Sequence, residues 1–578
     1  MMTAEETQEP TLTPEAAVPR WREWLERHKK EALVVGAMLI TLAGPFLLRP
    51  AGSTGPARYD RRLVVMTPHH ELIRREFGAA FSRYWKEKTG EVVFVDWRVP
   101  GGTSDIALLL KSEFIGAFQV YWEKTLGLEW TAKVAGACLD GKTVFSEGTV
   151  EAKARKAFLE SEVGIGVDLF FGGGPYDFQQ QARAGVLVAA NGKGQGGLPA
   201  VRKAHPEWFS EAGIPETLSG ETFRDKDERW VGTCLSSFGI VFNRDVLRRL
   251  GIEKDPEAWS DLADPRLMGQ VALSDPSKSG SVTKAFEMVI QQQMRVAFDD
   301  LTAKQGAGRF AKSPQEIEKE AVRIGWMEGM RLIQRIAANA RYFTDSSPKI
   351  PLEVSRGDAA AGMCIDYYGR SAEEQTRGKD GTSRVGFVSP VGGTAVSVDP
   401  VGMLRGAPDG ELATAFMDFV LSDAGQGLWG LKAGVAGGPK TVALRRLPVR
   451  RDWYVESRLG MMSDPEERAF EKAKLFHYEA NWTGPVFNAV RFLIRVMCVD
   501  THVELRAAWE DLERAGFPKE ATKTFHEIGL IHFDNAAGGV TETLASRDKA
   551  QETRLARQLG DAFRKQYGLA GSLARRGQ

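Results

Sequence analysis

Residues 357–370, GDAAAGMCIDYYGR, constrain the chain more than any other stretch. A short exposed turn at Gly357 and Asp358 leads into a strand of small and apolar residues, 359–365. That strand empties into Asp366, Tyr367, Tyr368 and Gly369. In open α/β sheets, ligands bind in the crevice beyond the strand ends. Adjacent strand residues point to opposite faces, so two neighbouring tyrosines serve one ligand only where the strand has ended. Gly369 supplies the turn that such an arrangement needs. The other reading is two amphipathic rings plugging a loop against the core.

The rest of the chain repeats this pattern of apolar run, small polar loop and helical periodicity. Residues 63–66 form a buried strand, with Thr67, Pro68, His69 and His70 as the loop at its carboxyl end. Ile73, Phe77, Ala80, Phe81 and Tyr84 then recur at helical spacing until Gly90. A second strand, 92–95, is followed by the loop PGGTS, where Thr103 or Ser104 caps a helix beginning near Asp105. VDLFF, 167–171, is a strong buried strand running into the loop GGGPYDF, 172–178. At Gly173 and Gly174 the backbone can approach a ligand closely, unless the loop is simply flexible. The apolar run 232–242 is interrupted by Ser236 and Ser237, where a chain crossing between lobes needs polar partners. Residues 271–274 lead into DPSKSGS. There Ser279, Gly280 and Ser281 open a helix, as an anion nest or as ordinary capping.

Strands at 385–388 and 395–404 are split by Gly392 and Gly393. Leu412, Phe416, Phe419 and Val420 mark an amphipathic helix, and another covers 425–431. From residue 447 the chain is helical and charged. Phe470, Phe476, Trp482, Phe487 and Phe492 give it enough apolar mass to pack onto the preceding lobe.

At 578 residues, two to four domains are expected. Lysine plus arginine equals aspartate plus glutamate, 76 each, so no bulk charge points to a nucleic-acid partner. Cys138, Cys234, Cys364 and Cys498 are far apart, without CxxC or zinc spacing, which leaves one or two bridges open in an oxidising compartment. No GxSxG or HExxH occurs, so the pattern favours binding over catalysis. GACLDGKT, 136–143, matches the phosphate-binding pattern GxxxxGK[ST], but it has a weak strand before it and a poor helix after it.

Residues 32–48 contain no charge and span roughly 26 Å as a helix, near the thickness of the hydrocarbon core. Because large domains translocate largely regardless of charge, this run reads as a single-pass anchor. Residues 1–31 are then a cytoplasmic tail, 49–60 a linker, and everything after lies outside. A cleaved signal is the alternative.

The ordered set resembles the bacterial periplasmic ferric-iron-binding proteins, which belong to family 1 of the extracellular solute-binding proteins of ABC importers. The residues carrying the resemblance are His69, His70 and Glu71, the VDLFF strand, WVGTC with IVFNRDVL, Ser279 with Gly280, GDAAAG with YYGR, and the helix pair 416–431. It covers about 63–444. It implies a type II periplasmic-binding fold, with 61–234 and 394–445 as lobe one, 235–393 as lobe two, and 446–578 as a helical extension packed on them. It further implies Fe3+ held by His70, Tyr367 and Tyr368, with Asp177 or Glu71 replacing a family glutamate whose position falls near Gly173. A synergistic anion would sit at Ser279, Gly280 and Ser281. Phenolates and carboxylates suit a hard trivalent ion. The implied partners are an inner-membrane ABC permease and its ATPase, with the body in the periplasm.

An organic solute such as a sugar, polyamine or phosphorylated compound is the alternative ligand. Tyr176, Tyr367, Trp97 and Trp122 are candidates to line its pocket, and His69, Thr103, Ser104, Gly173, Gly174, Ser236 and Ser237 to contact a ligand. An extracytoplasmic ligand sensor is a further reading, and an NTPase rests on GACLDGKT alone.

Overall fold

The computed structural model describes residues 58–190, 196–306, 312–546 and 548–577, with three isolated positions before them. Apart from Met38, the expected anchor at 32–48 lies outside the described residues, as does nearly all of the expected tail. Among the described residues no helix is long and apolar enough to cross a membrane.

Two sheets organise residues 59–578. The first begins with β1 (Arg61–Met66), whose Leu63 to Met66 are buried. Helix α1 (Glu71–Thr89) returns the chain, burying Ile73, Phe77 and Phe81 and ending on Gly90 at φ 84°. This βα unit is completed by β2 (Val93–Arg98), parallel to β1 with Val65 opposite Trp97. Helix α2 (Thr103–Val120) and a helical excursion lead to β3 (Leu169–Phe171), also parallel to β1. Next comes α3 (Pro175–Ala184). Strand β4 (Val231–Ser236) closes this half of the sheet.

The second sheet starts after one intervening residue, at β5 (Phe238–Asn243). It adds β6 (Val271–Ser274), the long helices α4 (Gly280–Gly306) and α5 (Pro314–Ala338), and β7 (Ala340–Thr344). Strand β8 (Ala361–Ile365), helix α6 (Asp366–Gln375) and β9 (Val385–Val388) complete it. The chain then returns to the first sheet through β10 (Ser397–Leu404), α7 (Gly410–Leu421), α8 (Asp423–Gly430) and β11 (Leu447–Pro448). The strand orders are β11-β4-β10-β3-β1-β2, with a short strand at Leu187–Val188 added to β10, and β7-β6-β8-β5-β9.

Up to β11 the chain therefore crosses between lobes twice, at Ser237 and through 389–396. The crossings touch: Ser237 Oγ lies 3.4 Å from Ser389 Oγ, and the Phe238 amide donates to Thr394 Oγ1 at 3.2 Å. Ser236 belongs to the first sheet and Ser237 is the crossing residue, slightly later than the expected boundary after 234. Each lobe has its own apolar core, one around Phe77, Phe171, Phe416 and Trp429, the other around Phe286, Trp326, Ile333 and Met363.

Three local expectations are corrected. Gly369 does not turn the chain: the tyrosines occupy the first turn of α6, and Gly369 lies inside that helix against Phe387, where a Cβ would come within 2.1 Å of the ring. The helix starts early because the Asp366 carboxylate accepts from the Tyr367 amide at 2.8 Å and from Arg370 at 2.9 Å. The weak strand before GACLDGKT is a helix, Ala132–Ala137, so no strand delivers that loop to a phosphate. No disulfide joins Cys138, Cys234, Cys364 and Cys498, all four of which are buried, so the bridges left open are not formed.

Residues beyond β11 divide between the cores. Trp453, Met462 and Ala469 join the first, and Trp482, Leu493, Trp509, Phe525 and Tyr567 join the second. The last helix, α9 (Lys549–Arg575), lies on the second lobe.

Candidate functional site

A cleft of about 630 Å3 lies where the lobes and the C-terminal segment meet. Lobe one contributes Thr103, Gly173, Gly174, Tyr176 and Asp177, along with Glu221 and Ser397. Lobe two contributes Phe238, Gly280, Lys284 and Ile365. The C-terminal segment contributes Tyr478, Asn481, Phe487 and Asn488. A depression of about 680 Å3 elsewhere, against Trp85, Val201 and Asp418, draws on lobe one alone, and its His205 already pairs with Asp418 at 3.1 Å.

The glycine-rich loop is shaped by close approach. Gly172 has φ 91°, and a Cβ there would come within 2.4 Å of the His69 ring. Gly173 has φ 127°, and a Cβ would come within 2.8 Å of Thr103. Only glycine combines that backbone with that space. The loop delivers Pro175, Tyr176 and Asp177 as the first turn of α3. Burial pushes the Asp177 carboxyl up to about 6 against the opposing charge of Arg491. Its Oδ2 faces the start of α4, 3.7 Å from where a Gly280 Cβ would be. Thus a lobe-one carboxylate meets the amino end of a lobe-two helix, where the helix dipole favours negative charge.

Beside it lies a buried ionic group. Lys284 Nζ is 2.9 Å from Glu221 Oε1 and 3.0 Å from Glu287 Oε2, and stands 3.5 Å from the centre of the Tyr478 ring. Tyr478 donates to Glu287 at 2.9 Å, and Thr483 donates to the same oxygen. Burial works against the Lys284 ammonium, but the Glu221 and Glu287 carboxylates outweigh it and hold its pKa well above the ordinary value. Burial raises the Glu221 pKa against the pull of Lys284. At the rim, Lys142 and Arg183 are exposed neighbours: a Cβ on Gly141 would come within 3.1 Å of Arg183 Cβ. Among the described residues neither makes an ion pair.

The sequence candidates divide into three groups. Thr103, Gly173, Gly174, Asp177, Ser236 and Gly280 line the cleft, as does Tyr176. Ser104, Ser237 and Ser279 serve contacts between protein groups. Ser104 Oγ accepts from Arg491 at 2.9 Å, Ser237 bonds Ser389, and Ser279 bonds Ser347 and caps Val282 at 3.3 Å. The side chain of Ser281 lies outside the described residues. His69, His70, Tyr367 and Tyr368 are not on the cleft wall. His70 is exposed and caps α1, its Nδ1 accepting from the Leu72 amide at 3.3 Å.

His69 is buried against Phe171 and Trp429, with Nε2 3.5 Å from Asp399, and burial lowers its pKa. Asp399 in turn accepts from Arg446 at 2.7 Å, and that guanidinium stands 4.1 Å from the Tyr367 ring centre. The Tyr367 and Tyr368 rings are 4.0 Å apart, and burial raises both phenol pKa values. Trp97 and Trp122 pack inside lobe one rather than on the cleft. Helix α2 is capped through Asp105, which accepts from the Gly102 amide at 3.0 Å, rather than by Thr103 or Ser104. Among the described residues, no group of three or more His, Cys, Asp or Glu side chains is placed to hold a metal ion.

Lys142, Glu221, Lys284, Tyr478, Asn481 and Asn488 do not stand out in the sequence as ligand contacts. Lys142 carries a signal, as the lysine of GACLDGKT, but for a different chemistry. The others reach the cleft through tertiary contacts that no local pattern announces.

Residues 212–436 match the family described as bacterial extracellular solute-binding protein. An uncharacterised protein of Haemophilus influenzae is 25% identical over 317 residues, covering 54% of this chain and 75% of that protein. Among solved structures, the chain is similar to the periplasmic binding protein AfuA from Actinobacillus pleuropneumoniae, with fructose-6-phosphate bound. Identity there is 18%, over 64% of this chain and 82% of that one, with a TM-score of 0.40. It is also similar to iron-bound HitA from Pseudomonas aeruginosa, at 14% identity over 75% of this chain and 99% of that one, TM-score 0.41. The spermidine/putrescine-binding protein PotD from Streptococcus pneumoniae has 13% identity over the same shares, TM-score 0.41.

Proposed function

We propose that this chain is the extracellular solute-binding component of an ABC importer, tethered to the membrane by residues 32–48, and that its interlobe cleft takes a small hydroxylated organic anion. The family match over 212–436 supports the class. The carrying observation for the ligand is the lining of the cleft. Amides of Gln179, Gln180 and Asn488 offer paired donors and acceptors, and Asp177 offers an acceptor for hydroxyl hydrogens. The rim cations Lys142 and Arg183, with no carboxylate of their own among the described residues, favour a phosphate or carboxylate at the other end of the solute. A volume of about 630 Å3 falls in the range of small-molecule sites.

Ferric iron held by His70, Tyr367, Tyr368 and Asp177, with a companion anion at Ser279, Gly280 and Ser281, is the second reading. The Asp177 carboxylate in the cleft favours it. It requires the two phenols to ionise against their burial and His70 to leave its helix cap.

Native mass spectrometry and calorimetry of the full chain with fructose 6-phosphate, fructose, spermidine and ferric citrate separate the readings. The proposal expects fructose 6-phosphate to bind more tightly than fructose. Binding of ferric citrate or spermidine with none of the sugar phosphate overturns the ligand assignment.

A further inference from the structure

The family match ends at residue 436, yet the cleft is not complete without residues 478–488, with Thr541, Leu544 and Ala545 beyond them. Residues near 453–473 are embedded in the lobe-one core and those from Trp482 onward in the lobe-two core. The chain between them is a third passage from one lobe to the other, and it runs along the cleft. Phe476 and Tyr478 pack there with Met288 of α4 and Ala395 of the returning crossing.

Two residues of this segment hold both lobes at once. The Tyr478 amide donates to Ser219 on lobe one at 2.8 Å, and its hydroxyl donates to Glu287 on lobe two at 2.9 Å. Gly220 fits this contact because a Cβ there would come within 1.7 Å of the Tyr478 carbonyl oxygen. Arg491 donates to Ser104 Oγ of lobe one at 2.9 Å. It also donates to the carbonyls of Pro276 and Ser277 of lobe two, each at 3.1 Å. Between these two points, Asn481, Phe487 and Asn488 line the cleft, with Phe487 4.5 Å from the Tyr176 ring of lobe one. The segment thus presents the Asn488 amide, the Asn481 side chain, whose Nδ2 also donates to Glu318 at 3.2 Å, and the Phe487 ring to the space between the lobes.

A clamp with two crossings closes when a ligand supplies the contacts between its lobes. Here the chain supplies such contacts itself. We propose that the C-terminal segment is the third wall of the solute site: Asn481, Phe487 and Asn488 contact the bound solute, while Tyr478 and Arg491 latch the lobes around it. The chemistry fits a polar organic solute, with a carbon face against Phe487 and Tyr176 and hydrogen-bonding groups for both asparagines. The ligand part rests on the solute-binding reading above; the latch does not.

Two arms of one experiment separate them. In the first, small-angle scattering without ligand compares the full chain with a Tyr478→Phe/Arg491→Met variant. Both substitutions keep side-chain volume, and circular dichroism melting confirms the fold. The latch predicts a larger radius of gyration in the variant, and an unchanged radius overturns it.

In the second arm, fructose 6-phosphate is titrated into the wild type, an Asn481→Ala/Asn488→Ala variant and an Asp177→Ala variant. Loss of two hydrogen bonds to a polar solute corresponds to a rise in Kd of about tenfold or more. That rise in the asparagine variant supports the wall. Loss of binding on Asp177→Ala with an unchanged Kd for the asparagine variant overturns the wall while leaving the solute site in place. Absence of binding by the wild type counts against the ligand assignment, and the scattering arm still decides the latch.

Discussion

Glu221 and Lys284 meet across the cleft at 2.9 Å, one from the lobe-one hairpin at 217–222 and the other from the first turns of a lobe-two helix. With Glu287 3.0 Å away, a single ammonium balances two buried carboxylates from different lobes. Breaking a buried pair by removing one partner is far more damaging than the pair itself is stabilising, because the remaining charge stays desolvated.

Lys284→Met should therefore destabilise the protein by about 3–5 kcal/mol near neutral pH. Burial already raises the Glu221 pKa, and loss of Lys284 removes the opposing pull. Acidification neutralises the stranded Glu221 carboxylate, so the gap between variant and wild type should narrow from pH 7.5 to pH 5. Denaturant melts at both pH values check this, and a gap independent of pH would show that the carboxylates are not the cause.

Asp177 gives a pH dependence of opposite design. Its folded-state pKa is raised to about 6 by burial, so the charged form is the costly one. That cost is fully present above about pH 6 and disappears as pH falls toward the unfolded value near 3.8. Asp177→Asn should be more stable than wild type at pH 7.5, by about 1–3 kcal/mol, with the two converging near pH 4. Thermal melts across this range measure it. The same substitution should weaken a hydroxylated solute, because an ionised acceptor is replaced by a neutral amide.

Gly172→Ala tests the loop that positions Asp177. The residue has φ 91°, and the new methyl would meet the His69 ring at 2.4 Å. Strain and overlap together should cost about 2 kcal/mol or more in stability. Gly136→Ala serves as control, since a Cβ there meets nothing within 4 Å. Equal effects of the two substitutions would contradict the close-approach account.

The lobes could be read from sequence because their strands announce themselves locally. LVVM, VDLFF and the run 232–242 are apolar enough to be strands in any setting, and the glycine loops come directly after them. Thr103, Gly173, Gly174 and Gly280 are legible in this way, at strand ends and helix starts. Two kinds of information are not local. Whether Tyr367 and Tyr368 sit on a loop or a helix depends on where the helix begins, and it begins at Asp366, directly after the strand, with the Asp366 carboxylate accepting from the Tyr367 amide and from Arg370. Whether Glu221, Lys284 and Tyr478 face one another depends on pairing across 194 residues between Lys284 and Tyr478, far beyond any periodicity.

Hydrogen–deuterium exchange of the full chain with and without fructose 6-phosphate tests the central claim, that a small solute is held between the lobes and the C-terminal segment. The account predicts slowed exchange at 100–105 and 173–184 on lobe one, at 278–288 on lobe two and at 478–491. Protection absent from all of these, or confined to the lobe-one depression at 196–205 and 410–418, would contradict it.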